Sequence, residues 1–208
     1  IWTLITLIKP IIEGMKISVK SMNSSAAERE THRMDTDMST KSVLIVFAII
    51  LIGLVITFWD FVSAVPISAG LMWTLVVVGV VVALLIGFFV AAACGYMAGL
   101  IGTSASPISG IGILATIISS LVVYFIASEN NLFATEAGVQ FATAMAIFMT
   151  SVVIAIASIS NDNLQDLKTG QLVGATPWRQ QIALLLGSVA GAIAIAPVLN
   201  LLYQAYGF

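Results

Sequence analysis

The sequence predicts an all-α fold, a polytopic bundle of transmembrane helices, and three observations carry that prediction. First, 60% of the 208 residues are apolar, 9% are charged, and the mean hydropathy is +1.09; a soluble domain carries about a quarter charged residues. Second, residues 61–128 and 180–208 contain no Asp, Glu, Lys or Arg, and each stretch exceeds the roughly 20 apolar residues that cross a bilayer core. Third, the remaining charges collect in short polar segments between apolar runs.

Residues 1–20 begin uncharged, then meet Lys9, Pro10, Glu13, Lys16 and Lys20 among Ile11, Ile12, Met15, Ile17 and Val19. That pattern suits the end of a span or an interfacial helix whose long basic side chains reach the headgroups. Residues 21–42 turn polar, with Glu28, Arg29, Glu30, His32, Arg33, Asp35 and Asp37 among Ser and Thr, and are expected to form a solvated loop.

The region 43–208 is expected to hold five spans. The first covers about 43–59 and ends at Trp59 and Asp60, an interfacial pairing. A turn at Val65, Pro66 and Ile67 follows, because proline has no amide hydrogen with which to continue a helix. The second span, 71–96, is longer than the hydrocarbon core and must tilt or bend. The third, 111–127, ends before a polar turn with Glu129, Asn130, Asn131 and Glu136. The fourth and fifth cover 139–158 and 182–203.

Six of the eight Lys and Arg residues lie between Lys9 and Lys41, and the other two, Lys168 and Arg179, lie between the fourth and fifth spans. Positive loops favour the cytoplasm, and an even number of spans separates these two. Both are therefore expected inside, with the turns at Val65 and Asn130 outside. In the second basic loop, Asp162 and Gln165 have the spacing of a capping box, Lys168 suits a last turn, and Gly170 a helix stop. Thr176 and Pro177 read as the N-cap and first-turn proline of the fifth span. This loop reads either as a plain connector or as a coupling surface.

The sharpest feature is Gly95 to Gly112, which reads GYMAGLIGTSASPISGIG. Glycines, Pro107 and the hydroxyls of Thr103, Ser104, Ser106 and Ser109 interrupt a long apolar stretch. Irregular backbone inside a bilayer survives only beside protein or a watery cavity, and a Gly- and Pro-broken segment points to a transport site. The alternative is a simple turn at the cytoplasmic face; the two readings differ in the depth they give Ser104 and Pro107. Gly95 with Gly99, and Gly187 with Gly191, make G-x-x-x-G pairs that let helix backbones approach.

Several classes of function lack their parts. The lone Cys94 reads as a packing residue, and one cysteine with one histidine, His32, builds neither a metal cluster nor a catalytic triad. Ser104 has no intramembrane histidine as base, and only Asp60 comes near the pair that an intramembrane aspartyl protease needs. A net charge of −2 gives no reason to propose nucleic acid. No cofactor or metal site is expected, and the chain is not read as an enzyme. Asp60, Glu129 and Glu136 are candidates for a proton relay, although each stands at a span end where water can solvate it. Asn200 and Gln204 are expected to be buried amides that bond a neighbouring helix or line a path.

With the spans placed, two motifs carry a resemblance. The run from Gly99 to Gly110, and then residues 162–177, DNLQDLKTGQLVGATP, followed by Arg179, Gln180 and Gln181, resemble the oligopeptide transporter (OPT) family, most closely its bacterial members allied to the plant yellow-stripe-like metal-chelate transporters. The opening Ile1, Trp2, Thr3 and Leu4 also look like that family's middle region, and the resemblance covers nearly the whole chain. The family's proteins are much longer, so it implies an interior part of a transporter.

The resemblance also implies a secondary, proton-coupled symporter of small peptides or metal chelates in a bacterial inner membrane. Its partners would be substrate, protons, lipid and the rest of the same chain. On this reading Gly102, Thr103, Ser104, Ser106, Pro107, Ser109 and Gly110 form the pathway or gate, and Asp166, Lys168, Thr169 and Gly170 a cytoplasmic loop facing it. Where related sequences commonly carry two asparagines before the proline, this chain has Ala105 and Ser106, so contacts through those amides do not carry over. The alternatives are a non-transporting membrane scaffold or assembly subunit and, third, a channel, for which no ring of charges or repeated filter sequence is present.

Overall fold

The computed structural model describes residues 36–207 together with Ile12, Glu13, Lys16 and Met34. Apart from Ile12, Glu13 and Lys16, the expected segment 1–20 lies outside the described residues, as does most of the loop 21–42, His32 included. Five helices are long and apolar enough to cross a membrane: α1 (Thr40–Ser63), α2 (Ala69–Ile101), α3 (Ile108–Glu129), α4 (Glu136–Val173) and α5 (Pro177–Tyr206). The chain is a multi-pass integral membrane protein. Each expected span falls inside one of these helices, and the helices run on past the apolar windows.

Local chemistry sets the helix ends. After α1, Pro66 interrupts, and the Ser68 hydroxyl accepts a 3.4 Å bond from the Leu71 amide to cap α2. α3 stops at Asn130, whose amide and side chain both donate to the Ile126 carbonyl. Asn131 then takes the left-handed conformation, φ 53°, that its short polar side chain tolerates. Thr135 Oγ1 accepts from the Gly138 amide at 3.1 Å and opens α4.

One expectation needs correction here. Asp162 and Gln165 do not form a capping box, and Gly170 does not end a helix: all three lie inside α4, which is continuous to Val173. The residues beyond the apolar window keep packing on α2, as shown below, and that contact outweighs a local cap. The helix ends instead at Gly174, φ 74°. There the Ala175 amide donates to the Gly170 carbonyl at 2.8 Å and the Gly174 amide to the Gln171 carbonyl at 3.4 Å, a Schellman motif.

The chain divides into two compact units whose boundary falls within α4, between Gln165 and Asp166. The first holds α1, α2, α3 and α4 as far as Gln165. Its core has two parts. One gathers Phe58 and Val62 of α1, Leu75 and Val76 of α2, Val123 and Ala127 of α3, and Met145 and Met149 of α4. Phe148 stacks on Phe61 with ring centres 4.4 Å apart and meets Phe58 edge-on at 5.1 Å. The other gathers Val90, Cys94, Ile111, Ala115, Val153 and Ala157.

A row of small residues, Gly79, Ala83, Gly87, Ala91 and Gly95, recurs at every fourth position of α2 and brings the backbones close. A Cβ at Gly79 would stand 2.5 Å from the Phe58 ring, and one at Gly87 2.7 Å from Ile156 Cδ1. Gly95 lies against Leu164 and Ser160, and Ser160 Oγ donates to the Ala91 carbonyl at 2.7 Å. From Gly87 to Gly95 the partners on α4 advance by equal steps in the same direction, so α2 and α4 run parallel and in register, with α3 the returning helix of the chain.

The second unit holds residues 36–39 with 166–207. In it the expected N-cap Thr176 is in place ahead of Pro177, but its side chain makes no capping bond. The chain near Thr36 supplies the partners instead. The Trp178 amide donates to the Thr36 carbonyl at 3.2 Å, and Gln181 accepts from the Met38 amide at 3.1 Å while donating to Asp37 Oδ1 at 3.3 Å. α5 carries no buried residue.

Candidate functional site

The Gly- and Pro-broken run becomes the connection between α2, of 33 residues, and α3, of 22. Both exceed or match the roughly 20 residues that cross a bilayer core, so the break joins two helices of spanning length. Gly102 has φ 94° and ψ 164°, a conformation closed to residues with a Cβ. Its amide still donates to the Ala98 carbonyl at 3.0 Å, and the chain then makes one 3-10 turn, Thr103–Ala105. The Ser106 amide closes that turn on the Thr103 carbonyl at 3.1 Å, and α3 opens after Pro107.

Side chains of α4 hold this break. Gln165 Oε1 accepts from the Thr103 amide at 2.9 Å. Ser106 Oγ donates to Asn161 Oδ1 at 2.5 Å and stands 3.2 Å from the Cys94 carbonyl oxygen. Turning the Asn161 amide by 180° lets Nδ2 donate to Ser106 Oγ and releases the hydroxyl proton to the Cys94 carbonyl, which satisfies all three groups. Asn161 is 3% exposed, so it is a buried polar clasp.

The clasp explains why α4 stays helical through Asp162: Ser160, Asn161, Leu164 and Gln165 are its working face toward α2 and the break. Asn161 escaped the sequence reading, and Gln165 entered it only as a capping residue, because both sit beyond the apolar window, in what read as a loop. Their i, i+4 spacing was the available signal.

The other expected site residues divide by location. Gly102, Thr103, Ser106 and Pro107 are partly buried at the break, while Ser104, Ser109 and Gly110 are exposed beside it. Asp60 lies in the last turn of α1, Glu129 ends α3 and Glu136 begins α4. Given the alternation of helix directions, all three carboxylates stand at the end of the first unit opposite the break, and all are exposed. The structure brings none of them to the Ser106 clasp.

In the second unit, Asp166, Lys168 and Thr169 are exposed on the last turns of α4 and Gly170 is buried. A Cβ at Gly170 would collide with the Gln180 side chain, whose Nε2 donates to the Asp166 carbonyl at 3.2 Å. Gly170 therefore admits α5, the role that replaces its expected one as a helix stop. Lys168 Nζ donates to Gln171 Oε1 at 2.9 Å. Asn200 and Gln204, expected buried, are exposed on α5.

Comparisons with known proteins agree with these motifs. The chain is 53% identical over 208 residues to a Haemophilus influenzae protein named for oligopeptide transport, and it spans about a third of that relative's length (33%). No solved structure matches the chain. The family model described as OPT oligopeptide transporter protein matches residues 1–208, the whole of the sequence, so the chain belongs to the OPT oligopeptide transporter family.

Proposed function

We propose that the complete protein is a secondary active transporter, driven by protons, that carries small oligopeptides or peptide-like metal chelates across a bacterial inner membrane. The observation that carries this reading is the broken connection from Gly102 to Pro107, held by Asn161 and Gln165 of α4 as well as by the end of α2. Positive φ, a proline and three clasping hydrogen bonds make a segment that can exchange its partners without breaking a helix ladder, as a gate requires. Family membership and the name of the Haemophilus influenzae relative support peptides as the cargo.

In this reading Gly102, Thr103, Ser104, Ser106, Pro107, Ser109 and Gly110 form the gate at the cytoplasmic end of the first unit. Asp166, Lys168, Thr169 and Gly170, on the last turns of α4, form a cytoplasmic extension of that helix. Asp60, Glu129 and Glu136 receive protons at the outer end.

The test is uptake of a labelled small peptide by the complete protein in proteoliposomes under an inward proton gradient. Uptake that stops when an ionophore collapses the gradient is the expected result. Uptake indifferent to the gradient removes the coupling, and no uptake of peptide or of a peptide-like chelate removes the transport reading.

A further inference from the structure

A feature of α5 lies outside everything used so far. Between Ile182 and Tyr206 this helix has no charged residue, and its carboxamides in that stretch are Asn200 and Gln204. Pro197 stands inside the same helix. Proline has no amide hydrogen, so the carbonyl of Ile193, four residues earlier, loses its helical partner. At 3.6 residues per turn, Ile193, Pro197, Asn200 and Gln204 fall on one narrow stripe of α5.

The freed carbonyl and the two amides therefore line up along one face, in the half of α5 remote from Arg179. Both amide residues are exposed, and their side chains meet only through a long 3.5 Å contact from Gln204 Nε2 to Asn200 Oδ1. Such groups are costly against hydrocarbon, so this face turns to protein or to a watery path.

We infer that the Ile193 carbonyl, Asn200 and Gln204 form a strip that binds the main chain of a transported peptide. A carboxamide offers one acceptor and two donors, the complement of a peptide group. Asn200 and Gln204 are offset by about 6 Å along the axis, close to the roughly 6.8 Å repeat of like-facing groups in an extended peptide. The Ile193 carbonyl adds an acceptor for a peptide N–H. Recognition of the main chain without a charged partner suits a carrier that accepts varied side chains. The inference rests on the peptide-transport reading above.

The experiment measures uptake of radiolabelled trialanine by the complete transporter in proteoliposomes, with wild type beside Asn200→Ala, Gln204→Ala and Pro197→Ala. The last variant restores an amide hydrogen that can occupy the Ile193 carbonyl. Each is expected to raise KM about fivefold, the worth of one ordinary hydrogen bond, with maximal rate and reconstituted protein near wild type. Asn200→Gln, which keeps the carboxamide, is expected within about twofold. Trialanine N-methylated at its peptide bonds, offered as competitor, is expected to compete poorly with the wild type and to lose less further affinity in the variants.

Unchanged KM in all three alanine variants overturns the inference. So does loss of folded protein with an unaltered KM in what remains, which assigns the amides to helix packing. Wild type that takes up no trialanine overturns the strip as a site for plain peptide main chain; the transport reading falls with it only if a peptide-like chelate is not taken up either.

Discussion

Helices α2 and α5 carry the same small-residue spacing and use it differently. In α2, Gly79, Gly87 and Gly95 are each filled by a side chain of α1 or α4. In α5, Gly187 and Gly191 follow Ala183 at the same four-residue interval, yet a Cβ at either glycine would meet nothing within 4 Å. The motif says that a backbone can be approached; it does not say that a partner has come. What distinguishes α2 is the complementary row on α4, where Ile156, Ser160 and Leu164 advance in step with the glycines.

That comparison can be broken by substitution. Gly87→Leu forces a branched side chain into a space where even a Cβ stands 2.7 Å from Ile156. Its expected cost is about 3 kcal/mol of stability, seen as a lowered thermal midpoint in detergent; an unshifted midpoint contradicts the close α2–α4 packing. Gly187→Ala is the matched substitution on α5 and is expected to change stability by less than about 0.5 kcal/mol. A loss as large as that of Gly87→Leu would mean that another part of the complete protein covers α5.

Much of the fold was legible because the bilayer makes it so. Charge-free runs located the helices without reference to periodicity, and Pro66 and the Asn130 turn marked connections by local chemistry alone. The stretch from Asp162 to Gly170 misled for the same reason. Its polarity and its Gly170 satisfied every local rule for a short capped helix, while the contact that keeps α4 continuous lies with Ala91, Gly95 and Thr103, far away in sequence. The candidate site was half legible. Gly102 and Pro107 announced irregular backbone, but the two residues that hold it, Asn161 and Gln165, belong to another helix, and their i, i+4 spacing does not say which segment they face.

Gly170 makes the same point from the other side. A glycine after a lysine near a helix end has an obvious local explanation, yet here it leaves room for Gln180. The helix stop passed to Gly174, where positive φ is required.

The account's central claim is that the Gly102–Pro107 break is a gate reached from the cytoplasm. The most direct measurement is labelling of Ser104→Cys by a membrane-impermeant maleimide, in the complete protein with Cys94 and any other native cysteine replaced by alanine and in vesicles of each orientation. Labelling from the cytoplasmic face only is the predicted result, with a faster rate when Asn161→Leu removes the clasp. A position 104 sealed from water on both sides, or open only from outside, contradicts the claim.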